Sequence, residues 1–244
     1  MFDYLLKKMG LARKERPLTA AAGDYLESRR APSPSTTHLS ADGFGRSIEA
    51  LSGLSLFPRP IVVFDTETTG TSKRDGILEF AAIRLEPGVA PVSVSWLVRP
   101  DCPINPRAEA VHGISERMVR DSPSFVERLP EIRDVMDGAV PVAHNLAFDL
   151  RMLNQDLNRH GFQVKAGGVC TLKLARAVHP ERSGRGAHTL GSLAGIHGIS
   201  VGNAHRALDD VRVLVQILAA FSTSHPELVE HSFSAVPDFR IVRS

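Results

Sequence analysis

Two cysteines, one tryptophan and two tyrosines are all that the 244 residues hold of these types. Cys102 and Cys170 lie far apart with no C-x-x-C spacing, so neither a disulfide framework nor a thiolate zinc site is signalled. Long apolar runs are also missing. The longest are the size of one strand or one soluble helix, and the N-terminus has no apolar core followed by a small-residue cleavage site, so no membrane span is expected and the chain reads as cytoplasmic. A strong charge of one sign is absent too. The formal net charge is +2, and residues 1–59 hold nine Lys/Arg against six Asp/Glu while residues 60–244 hold 20 against 21. A near-neutral body argues against sequence-independent binding of duplex through a broad cationic face; any nucleic acid would be met locally, at a strand end, with metal ions supplying positive charge.

What is present is an ordinary soluble composition, 43% hydrophobic and 23% charged, long enough for one domain with extensions. Phe2, Leu5, Leu6 and Met9 recur at helical spacing among basic residues, which fits a helix that docks on a protein partner or a membrane surface, or a locally packed one. A second short helix is expected over 18–28 and a flexible linker over 29–45, rich in Pro, Ser and Thr. The domain boundary falls near residue 57. From there Ile61 to Thr68, Ile77 to Leu85 and Val92 to Val98 read as a three-stranded antiparallel meander. Helical patterns follow at 115–119 and 124–136, then a short buried strand at 139–143 and a helix at 146–160. A fifth strand near 169–172 runs into a helix ending at Val178, and two more helices cover 190–197 and 206–221. Strands in a meander and then alternating with helices give a mixed α/β layer structure.

Three places in this pattern put acids where apolar residues belong. The run Ile61-Val62-Val63-Phe64 ends in Asp65 and Glu67, which as i and i+2 of one strand leave the same face. Two carboxylates that close either cap a strand as it reaches solvent or hold a cation between them. On the helix from Leu146, Asp149 lies inside the stripe formed by Leu146, Leu150, Leu153 and Leu157, near the carboxyl end of the preceding strand, where sites in open α/β sheets form. On the last long helix Asp210 sits among Ala207, Leu214, Ile217 and Leu218, whereas Asp209 shares a face with Arg212 and Gln216. His205 precedes Asp210 by five residues, about 140° around a helix, so the two converge only if His205 sits on a loop before the helix. Asp65, Glu67, Asp149 and Asp210 form an all-oxygen ligand set suited to hard divalent cations, Mg²⁺ or Mn²⁺. Two-metal phosphodiester hydrolysis uses such a set, with ions about 3.5 to 4 Å apart.

Phe64-Asp65-Thr66-Glu67-Thr68-Thr69-Gly70, Ala143-His144-Asn145-Leu146-Ala147-Phe148-Asp149 and His205-Arg206-Ala207-Leu208-Asp209-Asp210, in that order, resemble the three motifs of the DEDDh branch of the DnaQ-like 3′–5′ exonucleases. The likeness covers roughly residues 59–222. Val111-His112-Gly113-Ile114 resembles a further segment of the epsilon-like members. The resemblance implies a ribonuclease H-like fold, a mixed five-stranded sheet flanked by helices, over residues 58–222, with 1–57 an N-terminal extension and 223–244 a C-terminal tail. It implies two divalent cations: Asp65 bridging both, Glu67 and Asp210 completing one site, and Asp149 supporting the other directly or through water. It makes His205 the general base, taking a proton from the attacking water; imidazole ordinarily titrates near neutrality. It sets Thr68, Thr69, Gly70, His112, His144, Asn145 and Phe148 beside the terminal nucleotide, with Gly70 allowing close approach and Phe148 either stacking on a base or serving the core. A tyrosine branch of the superfamily is excluded, because Tyr4 and Tyr25 both lie far upstream of position 205. The implied activity is removal of nucleoside 5′-monophosphates from single-stranded DNA 3′ ends, in a proofreading- or repair-like accessory role. Trimming of short RNAs and a non-catalytic binding module are the alternatives. His188, with Arg182 and Arg185 in a Gly/Arg-rich loop, fits either phosphate contact or a solvated turn.

Overall fold

The structure, a computed structural model, describes residues 43–53, 59–202 and 204–244. The helices expected within residues 1–28 lie outside the described residues. All described residues fall in one compact unit, His38–Ser244. In chain order its elements are α1 (Gly43–Gly53), β1 (Ile61–Thr68), β2 (Ile77–Glu86), β3 (Val89–Leu97), α2 (Pro106–His112), α3 (Glu116–Val119), α4 (Phe125–Met136) and β4 (Val140–Ala143). There follow α5 (Leu146–Arg159), β5 (Phe162–Lys165), β6 (Val169–Cys170), α6 (Thr171–Val178), α7 (Leu190–Ile196), α8 (Ala207–Ser224), α9 (Pro226–Ser234) and β7 (Arg240–Arg243).

Five strands form the expected mixed sheet in the order β3-β2-β1-β4-β6. β2 pairs antiparallel with β1 and β3, and the tight turn between β2 and β3 uses Gly88 at φ 73°, a left-handed conformation that costs glycine little. β4 runs parallel to β1, and β6 parallel to β4. Alternation along β1 divides the core. Ile61 and Val63 pack with Val211, Leu214 and Leu218 of α8, while Val62 and Phe64 pack with Ile132 of α4 and Leu153 of α5. The β1–β4 pairing ends at Val63 and Val142, so β1 overshoots its neighbour and carries residues 65–68 past the end of β4. That overhang, flanked by the first turns of α5 and α8, is where the acids collect.

Two regions differ from the sequence expectations. Part of the stretch read as linker is the start of α1, whose Phe44, Ile48 and Leu51 recur at four- and three-residue spacing. Ile48 and Leu51 are buried in the α8 side of the core, so helical structure that belongs to this core begins before the boundary placed near residue 57. The segment 223–244 is structured as well. α9 buries Val229 and Phe233, and β7 pairs antiparallel with β5, a strand the periodicity did not reveal, with Phe239 and Ile241 buried. Arg59 donates to the carbonyls of Phe233 and Val236 and pairs with Asp238 at 2.9 Å, fastening this segment to the entry of β1. Among the described residues no helix is long and apolar enough to cross a membrane.

Candidate active site

Asp65 and Glu67 project from the α8 face of β1. Each sits next to other acids, and burial raises the affinity of both for protons. Asp65 is held well above the usual carboxylate range, first by desolvation and then by the charges of Asp149, Glu67, Asp210 and Glu79. Glu67 is pushed from 4.5 up to about 8 by burial and by Asp210, Glu79 and Asp149, with Arg206 acting weakly in the other direction. Asp149, only 2% exposed on the first turn of α5, is raised from 3.8 to about 7 by desolvation, although the Thr66 hydroxyl donates to its Oδ1 at 2.8 Å. Burial also raises Asp210, against the lowering influence of His205.

His205 lies on the loop before α8, as convergence with Asp210 requires, in a left-handed conformation at φ 64°. Its backbone N–H donates to Asp210 Oδ2 at 3.2 Å. Ligand-capable atoms of Glu67, His205 and Asp210 lie within 4.8 Å of one another. Asp65 and Asp149 are not among the residues whose atoms meet within this distance, but Asp65 lies close enough to feel the charges of Asp149, Glu67 and Asp210. Among the described residues none of the four acids forms an ion pair with a lysine or arginine. Buried carboxylates without counter-ions are costly, and oxygen ligands of this number and charge fit a hard divalent cation. Asp209 points away, to Arg212 at 3.2 Å.

The remaining candidates mostly shape the backbone around these groups. Ile114 N–H donates to His112 Nδ1 at 3.0 Å, so the proton is on Nε2, which donates to the Thr68 carbonyl at 3.2 Å. Desolvation lowers the pKa of this buried imidazole, keeping it neutral, and it braces the end of β1. Thr68 donates its hydroxyl to the Gly70 carbonyl at 2.8 Å. Thr69 donates to Asp75 Oδ1 at 3.0 Å and accepts from Gly76 N–H at 3.1 Å. The close approach at Gly70 is internal: a Cβ there would stand 2.8 Å from the Asp75 carboxylate. His144, likewise kept neutral by burial, accepts from the Thr171 hydroxyl at 3.1 Å and donates to the His188 carbonyl at 2.9 Å. Asn145 occupies the N-cap position of α5 in a left-handed backbone at φ 63°, makes no side-chain cap bond and is exposed. Phe148 packs on the core with the Arg151 guanidinium 5.1 Å from its ring centroid. In the Gly/Arg-rich loop His188 reaches the His179 carbonyl at 3.2 Å, and Arg182 the Ala187 carbonyl at 3.1 Å.

Three residues to which the sequence reading gave no role also shape the site. Thr66 holds Asp149. Glu79, opposite Glu67 in the sheet, binds Arg206. The signal for Glu79 was available, since an acid in the middle of Ile77-Leu78-Glu79-Phe80-Ala81 breaks an otherwise apolar strand as conspicuously as Asp149 breaks its helix.

Comparison with known proteins agrees with this geometry. The family described as exonuclease, of RNase T type, matches residues 62–218. A PolC-type DNA polymerase III of Clostridium perfringens is 36% identical over 163 residues, which are 66% of this chain but 11% of that polymerase. The DNA polymerase III epsilon subunit of Treponema pallidum is 34% identical over 170 residues, covering 69% of this chain and 79% of the subunit. Among solved structures, exonuclease X in complex with 5′-overhanging duplex DNA is 31% identical, with a TM-score of 0.56, over 71% of this chain and 98% of the other. Exonuclease I of E. coli in complex with a dA16 oligonucleotide shares the fold, at 21% identity and a TM-score of 0.61 over 72% of this chain and 43% of the other. With more than half of its residues matched by the family model, and with that model spanning all three acidic segments gathered at the end of β1, the chain belongs to the exonuclease family.

Proposed function

We propose that this chain hydrolyses the terminal phosphodiester at 3′ ends of single-stranded DNA, releasing nucleoside 5′-monophosphates, with two divalent cations, Mg²⁺ or Mn²⁺, held by Asp65, Glu67, Asp149 and Asp210. The observation that carries this reading is the convergence of Glu67, His205 and Asp210 within 4.8 Å beside two further acids that lack basic partners. When bound, the cations balance the acids and the charge that develops on the scissile phosphate. His205, exposed at the rim, takes a proton from the attacking water as the new bond to phosphorus forms. The bond to the 3′ oxygen of the preceding nucleotide breaks, and that oxygen leaves with a proton as the new 3′-hydroxyl. Asp210, by accepting from the His205 N–H, keeps the imidazole next to the ligand set. Asp149, fixed by Thr66, approaches the set from the α5 side.

Single-stranded DNA is favoured over a broad duplex contact because residues 60–244 carry almost no net charge. The relatives named for DNA polymerase III make a proofreading- or repair-like accessory role the setting we favour, inside the cell and with a polymerase as the candidate partner. The N-terminal residues, with their helical apolar spacing, are the segment we assign to partner docking.

The test is a time course with a 5′-labelled single-stranded DNA and its RNA twin, in Mg²⁺, Mn²⁺ or EDTA. The expected result is a ladder shortening from the 3′ end, nucleoside 5′-monophosphate as product, and no reaction in EDTA. Faster loss of the RNA strand would reassign the substrate to short RNAs. Inertness of both strands in either metal would support the non-catalytic alternative.

A further inference from the structure

Glu79, unlike the four inward acids, has a basic partner. It lies in the centre of β2, 3% exposed, directly opposite Glu67 and on the same face of the sheet. Its carboxylate accepts three hydrogen bonds: from Arg206 Nη2 at 2.9 Å, from Arg206 Nε at 3.1 Å and from the Ala207 backbone N–H at 3.1 Å. A buried carboxylate is tolerated when it is paired and its oxygens are satisfied, and both conditions are met here. The third bond has a further meaning. Arg206 is the N-cap residue of α8 but makes no side-chain cap bond, and the first amides of a helix need an acceptor. Glu79, from a different layer, provides one, as an anion at the positive end of the helix.

The residue before this cap is His205. Its left-handed backbone is one that a residue with a Cβ adopts only when its surroundings hold it there. On the C-terminal side it is held by the Asp210 carboxylate, 3.2 Å from its N–H, and immediately beyond by the Arg206 side chain locked to Glu79. We infer that Glu79 is a positioning residue for His205: by clamping Arg206 and the first amide of α8 to β2, it fixes the left-handed turn that sets the imidazole beside Glu67 and Asp210. Glu79 does not touch the substrate in this role. The inference rests on the reading of His205 as the base and adds to it the device that holds the base in place.

A double-mutant cycle tests it. E79Q, R206M, H205A and E79Q/H205A are assayed for kcat and KM on the 5′-labelled single strand, and the His205 imidazole resonance is followed by NMR in E79Q and R206M. Positioning requires that E79Q and R206M each lower kcat by about tenfold or more with KM within about threefold, and that E79Q/H205A be no slower than H205A by more than about twofold. The His205 resonance should move in both variants. A merely structural role would leave this resonance unchanged and the losses multiplicative, and either result overturns the inference. Should E79Q or R206M fold poorly, E79Q/R206M keeps the test sound, because it removes both charges together and leaves no buried carboxylate unpaired. A wild-type rate in E79Q beside a crippled H205A overturns the positioning role alone. A wild-type rate in H205A instead removes the functional reading on which it rests.

Discussion

The Thr66 hydroxyl donates to Asp149 Oδ1 at 2.8 Å across 83 residues of sequence, linking β1 to the first turn of α5. Thr66 leaves β1 on the face opposite Asp65 and Glu67, so Asp149 reaches the strand's overhang from the α5 side. From there its charge still raises the proton affinity of Asp65 and Glu67.

Replacing Thr66 by Val keeps the shape and removes the donor, leaving a buried carboxylate oxygen unsatisfied. The expected loss is about 1 to 3 kcal/mol of correctly placed Asp149, read as a fall in kcat of about five- to hundredfold. Thr66→Ser, which keeps the hydroxyl, should retain most of the rate. Steady-state kinetics of the two variants with the same single-stranded DNA decide the matter; equal rates would remove Thr66 from the site.

Asp209 and Asp210 are neighbours with opposite surroundings, one paired with Arg212 at 3.2 Å and the other turned to Glu67 and His205. Asp210→Asn is expected to lower kcat by at least about a hundredfold, while Asp209→Asn stays within about threefold of wild type. Circular dichroism should show both variants folded. Comparable effects of the two changes would contradict the inward assignment of Asp210.

The raised acids make metal-free stability depend on pH. Folded, Glu67 is pushed to about 8 and Asp149 to about 7, so around neutrality the native state holds protons that the unfolded chain has already released. Stability is therefore lost as pH rises through this window. Burial of His112, His144 and His197 lowers their pKa and acts in the opposite sense, but only below their ordinary value of 6.5. Between pH 6.5 and 8 the melting temperature of the metal-free protein should fall, and Mn²⁺ should restore most of it at pH 8. A Glu67→Gln/Asp149→Asn variant should show a flatter profile. A wild-type melting temperature that rises over the same interval would count against the charge cluster.

Much of this arrangement is legible in the sequence because periodicity carries it. The alternation in Ile61–Thr68 and the stripes around Asp149 and Asp210 identify inward acids without knowledge of their neighbours, and the five-position step from His205 to Asp210 demands a loop, which is found. What was not legible depends on distant contacts. Gly70 is crowded by the Asp75 carboxylate, 2.8 Å from where a Cβ would stand, and nothing local announces that contact. The strand Arg240–Arg243 needs Phe162–Lys165, four residues too short to announce themselves. α1 was hidden differently: its Phe44, Ile48 and Leu51 stripe follows directly on a Pro- and Ser-rich stretch whose composition set the reading.

Because Ile48 and Leu51 pack in the α8 side of the core, α1 contributes to folding. Ile48→Ala should cost about 2 to 4 kcal/mol, as for other large-to-small core changes. The measurement is the urea midpoint, with an unchanged slope. A midpoint equal to that of wild type would show that α1 is dispensable.

The most direct test of the carboxylate cluster is calorimetric titration of Mn²⁺ into the metal-free protein and into Asp65→Asn at pH 7, repeated in two buffers of different ionisation enthalpy. Two bound ions are expected, with release of at least about one proton, since Glu67 and Asp149 are still partly protonated at that pH. Asp65→Asn should lose at least one of the ions. Absence of binding, or binding that Asp65→Asn leaves unaltered, would contradict the proposal that these side chains gather around divalent cations.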